Sequence, residues 1–344
     1  SDGCFINKDK INLLLNNIDT NSLPKQSNNK GKSISHVDSL SIFIDALLGL
    51  DFVDVENIKK QHFKVVVDTV NGANYHLLPH LLRMLNCEVI ELYCNSSGIF
   101  DRNPEPTPEN LTLLSEYVIK YGADLGLASD PDGDRLSIVD NKGVAIGEEN
   151  TLVLCADTYY KETNSKSPLV TNLSSSMCLD FIASKHNVPI YRSAIGEANV
   201  IELMKHKKSS FGGEGNGGVI LKDIHLGRDS LVGTIMILDM LCKRKKNLNQ
   251  IMDDIPDYYM IKEKIELSGI DISLFYNYLS SVYHDAKSNT TDGLKLVWQD
   301  KWLHIRKSNT EPVVRVIAES LNPDTTREII ENTIKKLKEY SIED

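Results

Sequence analysis

The chain has 344 residues, 41% apolar and 25% charged, with a formal net charge of -10. That length asks for more than one core, and the composition is that of an ordinary globular protein. The acidic balance argues against a nucleic-acid surface, which needs clustered Lys and Arg, and no apolar run approaches the ~18 residues of a membrane span.

Residues 1 to about 34 are polar and rich in Asn, Lys and Ser, with one short helical piece around Asp9–Ile18. They read as the tail of something upstream. From Val37 to Leu50, Leu40, Phe43, Ile44, Leu47 and Leu48 recur at helical spacing, an amphipathic lead-in. Phe63–Asp68 then reads as a buried strand with the turn Thr69–Gly72, followed by helix Tyr75–Leu85 and strand Glu88–Tyr93. Asn103–Glu109 is a proline-rich connector, and Thr107-Pro108 starts helix Glu109–Tyr121. Strands alternating with helices of this length indicate a largely parallel sheet.

The next strand, Leu125–Ser129, ends in Asp130-Pro131-Asp132-Gly133-Asp134-Arg135. Three aspartates at alternate positions repel one another unless a hard divalent cation neutralises them. Pro131 and Gly133 tighten the loop so that the carboxylates converge. An EF-hand needs Gly at the sixth place and Glu at the twelfth, where this chain has Arg135 and Asn141. A solvated acidic turn and a Mg²⁺ site beside a phosphate both remain open from this loop alone.

A second α/β unit follows Gly147–Asn150, with helix Thr151–Tyr160, strand Leu169–Asn172, helix Ser176–His186 and strand Ile190–Arg192. After Ala194-Ile195-Gly196-Glu197 come helix Asn199–Lys205 and the strand-like Ser210–Gly212. Then comes the glycine cluster Gly212–Gly218, from which only Glu214 and Asn216 project. It lacks a P-loop lysine and opens no helix, so it matches neither nucleotide fingerprint. A carboxylate and an amide two residues apart suit the vicinal hydroxyls of a sugar; a flexible hairpin is the alternative. Asp229 caps the apolar helix Leu231–Leu241.

Beyond Asp253–Pro256 lies a smaller α+β unit. Leu294–Trp298 pairs with Trp302–Ile305, Val313–Ala318 is another strand, and Pro323–Tyr340 is a charged amphipathic helix. Arg306-Lys307-Ser308-Asn309-Thr310-Glu311-Pro312 gathers a guanidinium, hydroxyls, an amide and turning backbone, a donor set that suits a phosphate dianion. Arg315 adds a second cation. A hairpin turn with incidental polar residues is the alternative here. The six scattered cysteines, with no C-x-x-C pair, read as reduced thiols of a cytoplasmic protein.

With these three loops in order, the chain resembles the α-D-phosphohexomutases, the family of phosphoglucomutases, phosphomannomutases and phosphoglucosamine mutases. The aspartate loop resembles their metal loop, Gly213–Gly218 their sugar loop, and Arg306–Pro312 their phosphate loop. The resemblance implies two consecutive mixed-sheet α/β domains, 37–147 and 148–255, and a smaller α+β C-terminal domain, 256–344. Residues 1–36 would be the tail of a first domain.

It further implies Mg²⁺ on Asp130, Asp132 and Asp134, catalytic support from Arg135, and sugar contacts from Glu214 and Asn216 beside Gly196. The unreactive phosphate would sit on Arg306, Ser308, Asn309, Thr310 and Arg315, with Arg192 as an extra contact. Some members place a histidine where this chain has Glu197. The implied activity interconverts hexose 6-phosphate and 1-phosphate through a hexose 1,6-bisphosphate and a phosphoserine. That serine belongs to the upstream domain, so the chain alone is expected to be inactive.

A non-catalytic sugar-phosphate-binding protein is the rival reading. A haloacid-dehalogenase-type phosphatase with Asp130 as nucleophile would need Thr or Val where Asp134 stands. Ser174-Ser175-Ser176 precedes a helix, but no base is expected near it: His62, His80, His186, His206, His225, His284 and His304 read as isolated.

Overall fold

The computed structural model describes residues 4, 6, 8–19, 38–266, 272–308 and 312–340. Helix α1 (Lys8–Asp19) is followed by α2 (Ser39–Leu48), where Asp38 accepts from the Ser41 amide and the stripe buries Ile44 and Leu47. A short α3 (Val55–Gln61), which the pattern did not reveal, leads into the first sheet.

That sheet has the order β2-β1-β3-β4: β1 (Lys64–Asp68), β2 (Glu88–Leu92), β3 (Leu125–Ser129) and β4 (Leu136–Val139). β1 pairs parallel with β2 and β3, while β4 returns antiparallel to β3. Helices α4 (Leu77–Met84) and α5 (Thr112–Tyr121) make the crossovers. α5 starts three residues later than expected because Pro108–Asn110 forms a separate 3₁₀ turn.

The second sheet repeats the plan as β6-β5-β7-β8, from β5 (Leu169–Asn172), β6 (Ile190–Ser193), β7 (Phe211–Glu214) and β8 (Gly218–Leu221). Again the first three strands run parallel and the last antiparallel. Its helices are α6 (Glu148–Thr163), α7 (Cys178–His186), α8 (Glu197–Lys207) and α9 (Ser230–Arg244). α6 begins before the expected Thr151, with Glu148 and Glu149 in the first turn, where the helix dipole favours carboxylates. α9 is buried at every position from Ser230 to Cys242, as a helix apolar all round must be. One continuous core, including Leu136 of β4, Leu154 of α6 and Ile235 of α9, joins the first two sheets.

After α10 (Leu248–Met252) comes an antiparallel sheet of order β10-β11-β12-β13-β9. It comprises β9 (Tyr259–Glu266), β10 (Lys287–Asn289), β11 (Leu294–Val297), β12 (Lys301–Lys307) and β13 (Val313–Ser320). Helices α11 (Ile272–Val282) and α12 (Pro323–Tyr340) contribute Phe275, Leu279, Ile330 and Leu337 to its core. Strand alternation decides the rest. Leu303 and Ile305 of β12, with Val314, Val316 and Ala318 of β13, enter that core, whereas Trp302, His304, Arg306, Arg315 and Glu319 do not. Among the described residues no helix is long and apolar enough to cross a membrane.

Candidate functional site

Both strands flanking the aspartate loop are buried at every position, so the loop is held on a rigid hairpin. The Gly133 amide donates to the Asp130 carbonyl (3.1 Å) and the Arg135 amide to Asp130 Oδ1 (3.1 Å). Neighbouring segments clamp it: the Ala73 amide donates to the Pro131 carbonyl (2.7 Å), and Asn74 Nδ2 and Ser230 Oγ donate to the Gly133 carbonyl (3.2 and 2.6 Å). Carboxylate oxygens of Asp130, Asp132 and Asp134 consequently lie within 4.8 Å of one another.

Burial, then the charges of Asp134 and Asp132, push the Asp130 carboxyl up to about 7. Asp134 Oδ1 is buried without a hydrogen-bond partner among the described residues. Crowded carboxylates, one with an oxygen that no described group hydrogen-bonds, are the donor set a hard divalent cation takes, so the cluster can hold a metal ion. Arg135 stands beside them, with Nε 3.2 Å from Asp130 Oδ2 and Nη1 3.2 Å from Glu105 Oε2.

The glycine-rich loop closes the equivalent hairpin of the second sheet, between β7 and β8. Glu214 is buried, and its oxygens already have protein partners. Oε1 accepts from Asn172 Nδ2 (2.8 Å) and the Gly196 amide (3.0 Å), and Oε2 from Arg228 Nη1 (2.6 Å). Asn216 Oδ1, by contrast, has no hydrogen-bond partner among the described residues.

The third loop joins β12 to β13. The Ser308 amide donates to the Val313 carbonyl (2.8 Å), while Asn309 and Thr310 lie outside the described residues. Arg306 is mostly buried; its Nε lies 3.7 Å from Asp292 Oδ2 and has no hydrogen-bond partner among the described residues.

One cleft of about 420 Å³ is walled by Arg135 of the aspartate loop, by Gly196, Glu214 and Asn216, and by Arg306 of β12 and Arg315 of β13. Asp130 and Asp132, again with Arg135, line an adjoining depression of about 320 Å³. Asp132 and Asp134 face a third, of about 500 Å³, together with Glu197, His225 and Arg228. Arg192 is in none of them. Its guanidinium donates to the carbonyls of Asn172, Ser175 and Ser176 and to Asp180, so it braces the loop between β5 and α7.

Two expectations about histidine and serine are corrected. Ser174 lines the cleft and has a base beside it: its Oγ is 2.8 Å from His304 Nδ1. His304 Nε2 lies 2.7 Å from the Asp292 carbonyl, which can only accept, so Nε2 carries the proton and Ser174 donates to Nδ1. His186 and His225 are not isolated either; they pair with Asp157 (2.6 Å) and Asp229 (2.9 Å).

Other cleft residues escaped the sequence reading. Lys262 of β9 reaches Glu148 (2.7 Å) and Glu149 (3.0 Å), and burial raises the Glu149 carboxyl to about 7 against the pull of Lys262. Arg228, at the third depression, pairs with Asp134, Glu214 and Glu197 at once. Nothing in a lone Arg-Asp dipeptide before a helix signals such partners.

Three family models match in succession: phosphoglucomutase/phosphomannomutase alpha/beta/alpha domain II over residues 41–143, alpha/beta/alpha domain III over 148–259, and the C-terminal domain over 279–336. A phosphoglucomutase/phosphomannomutase of Thermococcus kodakarensis is 38% identical over 83% of this chain and 63% of its own length. A probable phosphoglucosamine mutase of Methanocella arvoryzae is 32% identical over 86% of this chain and 67% of its own. The chain thus spans about two thirds of the relatives it matches, and less than that of the first. The solved structure of a phosphoglucomutase/phosphomannomutase family protein from Burkholderia thailandensis shares the fold, with a TM-score of 0.83 at 24% identity over 97% of this chain and 71% of that one. The chain belongs to the phosphoglucomutase/phosphomannomutase family, the α-D-phosphohexomutases, through that family's domains II, III and IV.

Proposed function

We propose that this chain supplies the metal, sugar and phosphate subsites of a phosphohexomutase that interconverts hexose 6-phosphate and hexose 1-phosphate. The observation that carries this reading is that Arg135 of the aspartate loop, Glu214 and Asn216 of the glycine-rich loop, and Arg306 and Arg315 of the C-terminal sheet line one cleft. Arg306 and Arg315, with Ser308 nearby, are the groups for the phosphate that does not react; a fork of guanidinium donors matches its oxygens. Asn216 offers its unmatched oxygen to a sugar hydroxyl, and Glu214 lies on the same wall. Asp130, Asp132 and Asp134 are the ligands for Mg²⁺, which when bound neutralises charge on a phosphoryl group in transit.

Arg135 contributes a fixed cation beside that position. Its partner Glu105 has a side chain 60% exposed, a contact that an incoming phosphate can replace. Arg192 acts through the loop it braces. The phosphoryl-carrying serine is assigned to an upstream domain, a hexose 1,6-bisphosphate to the turnaround between half-reactions, and the whole to the cytoplasm. Matches to domains II, III and IV support the first of these, and the scattered cysteines with no C-x-x-C pair the last.

A coupled mutase assay tests the reading, with Mg²⁺, a hexose 1,6-bisphosphate primer, and the 1-phosphates of glucose, mannose and glucosamine in turn. The expected result is silence from this chain alone and turnover once a separately made upstream domain is added. Turnover without that addition refutes the assignment of the nucleophile. Silence in both arms favours a sugar-phosphate-binding role without catalysis.

A further inference from the structure

Arg228 sits just before Asp229, which caps α9 by accepting from the Leu231 and Val232 amides (2.7 and 3.2 Å). Its backbone amide donates to Glu197 Oε1 (2.6 Å), so the residue is tied down at its main chain before its side chain reaches out. The guanidinium then touches three carboxylates on three different elements. Nη2 pairs with Asp134 Oδ2 in the aspartate loop, Nη1 with Glu214 Oε2 at the end of β7 (2.6 Å), and Nε lies 3.8 Å from Glu197 Oε2 at the start of α8. Only 13% of its side chain is exposed. Burial alone disfavours its charge, but Glu214, Asp134 and Glu197 outweigh that and hold it protonated.

The division of oxygens on Asp134 is informative. Arg228 takes Oδ2, while Oδ1, without a hydrogen-bond partner among the described residues, lies 3.6 Å from Arg135 Nε. On Glu214 the guanidinium takes Oε2 while Asn172 and Gly196 hold Oε1. The two hairpins also touch directly, the Leu136 amide donating to the Gly217 carbonyl at 3.0 Å.

We infer that Arg228 is a positioning residue that fixes Asp134 and Glu214 together, so that metal and sugar-phosphate binding strengthen one another. This rests on the reading of the cleft proposed above. A ligand that orders the sugar hairpin orders the guanidinium, and through it the carboxylate of Asp134. Linkage then requires the reverse effect of equal size. The planar fork is essential, because a lysine ammonium is a point charge that cannot span both carboxylates at these distances.

The test is calorimetric titration of the full chain with Mg²⁺, with and without glucose 6-phosphate, mannose 6-phosphate or glucosamine 6-phosphate, and the reciprocal titration. The unaltered chain should bind Mg²⁺ at least about fivefold more tightly when a hexose phosphate is bound, the lower end of ordinary coupling. In both Arg228→Lys and Arg228→Gln that factor should fall towards one. A lysine variant that keeps the factor shows that charge and not the fork matters, and overturns the inference. So does a factor of one in the unaltered chain, which requires no variant to fold. Binding of both ligands without coupling refutes Arg228's role alone; binding of neither refutes the cleft reading as well.

Discussion

His304 shows how much one side chain can depend on two units of a protein. It is fully buried, with one ring nitrogen on Ser174 and the other on the Asp292 carbonyl. Burial, followed by the charge of Lys295, lowers its pKa from 6.5 to about 4. The folded state therefore prefers the neutral ring, and the unfolded chain binds more protons between these values. Stability contributed by His304 is complete above pH 6.5 and is lost as pH falls from 6.5 to 4, by on the order of 3 kcal/mol in total. Urea unfolding at steps between pH 7 and pH 4 should show this slope, and His304→Gln should flatten it. An equal slope in that variant would place the acid sensitivity elsewhere.

The hairpins are the working elements. In each of the first two sheets the last strand returns antiparallel, and the loop it forms carries the polar chemistry at the carboxyl end of a parallel strand, where open α/β sheets place ligands. Gly217 shows why the sugar hairpin is rich in glycine. Its φ is +88°, and a Cβ there would lie 2.4 Å from the Leu136 carbonyl oxygen, at the start of β4 in the other sheet. Gly217→Ala has to strain its own backbone and push two sheets apart, costing roughly 2 kcal/mol or more. Gly122→Ala is the control: φ is +58°, yet nothing lies within 4 Å of the added methyl. Chemical denaturation should rank Gly217→Ala clearly below Gly122→Ala, and Mg²⁺ titration should find weakened binding in the first only. Equal destabilisation of the two would mean that the contact between hairpins carries no energy.

At the scale of the whole molecule, the C-terminal sheet has one apolar face on its helices and one polar face on the second unit. Glu319 is the centre of that second contact, accepting from the Met177 amide (2.8 Å) and Trp302 Nε1 (2.7 Å) while almost fully buried. Lys262 on Glu148 and Glu149, Asp292 on the Ile195 amide (2.9 Å), and Lys295 on the Leu173 carbonyl complete it. Glu319→Ala leaves the buried Trp302 Nε1 and the part-buried Met177 amide unmatched, a loss of about 1–3 kcal/mol for the first and less for the second. The expected outcome is faster hydrogen exchange at 172–178 and along β12 and β13, with weaker hexose-phosphate binding, while α9 stays protected. Unchanged exchange at the Met177 amide would show that the contact does not hold the units together.

Much of this protein was legible because its chemistry is contiguous. An apolar strand ending in alternate aspartates, a glycine-stripped loop with two polar side chains, and a turn crowded with donors each announce themselves within about seven residues. The family and the mixed-sheet α/β class follow from their order. β5 and α12 fall at their expected bounds, since a pure apolar run and a capped amphipathic repeat are local signals. β4 and β8 were missed because a short returning strand has no period of its own. β9 was missed because Tyr259–Glu266 alternates charge along a half-exposed strand and looks like surface.

What the tertiary structure alone decided are the partnerships. Arg228 meets Asp134 across 94 residues, and Ser174 meets His304 across 130. Such pairs depend on how separately built cores set their backbones against one another. Residue types repeated along a chain determine which loops exist, but the packing of one sheet on the next determines which side chains those loops can reach.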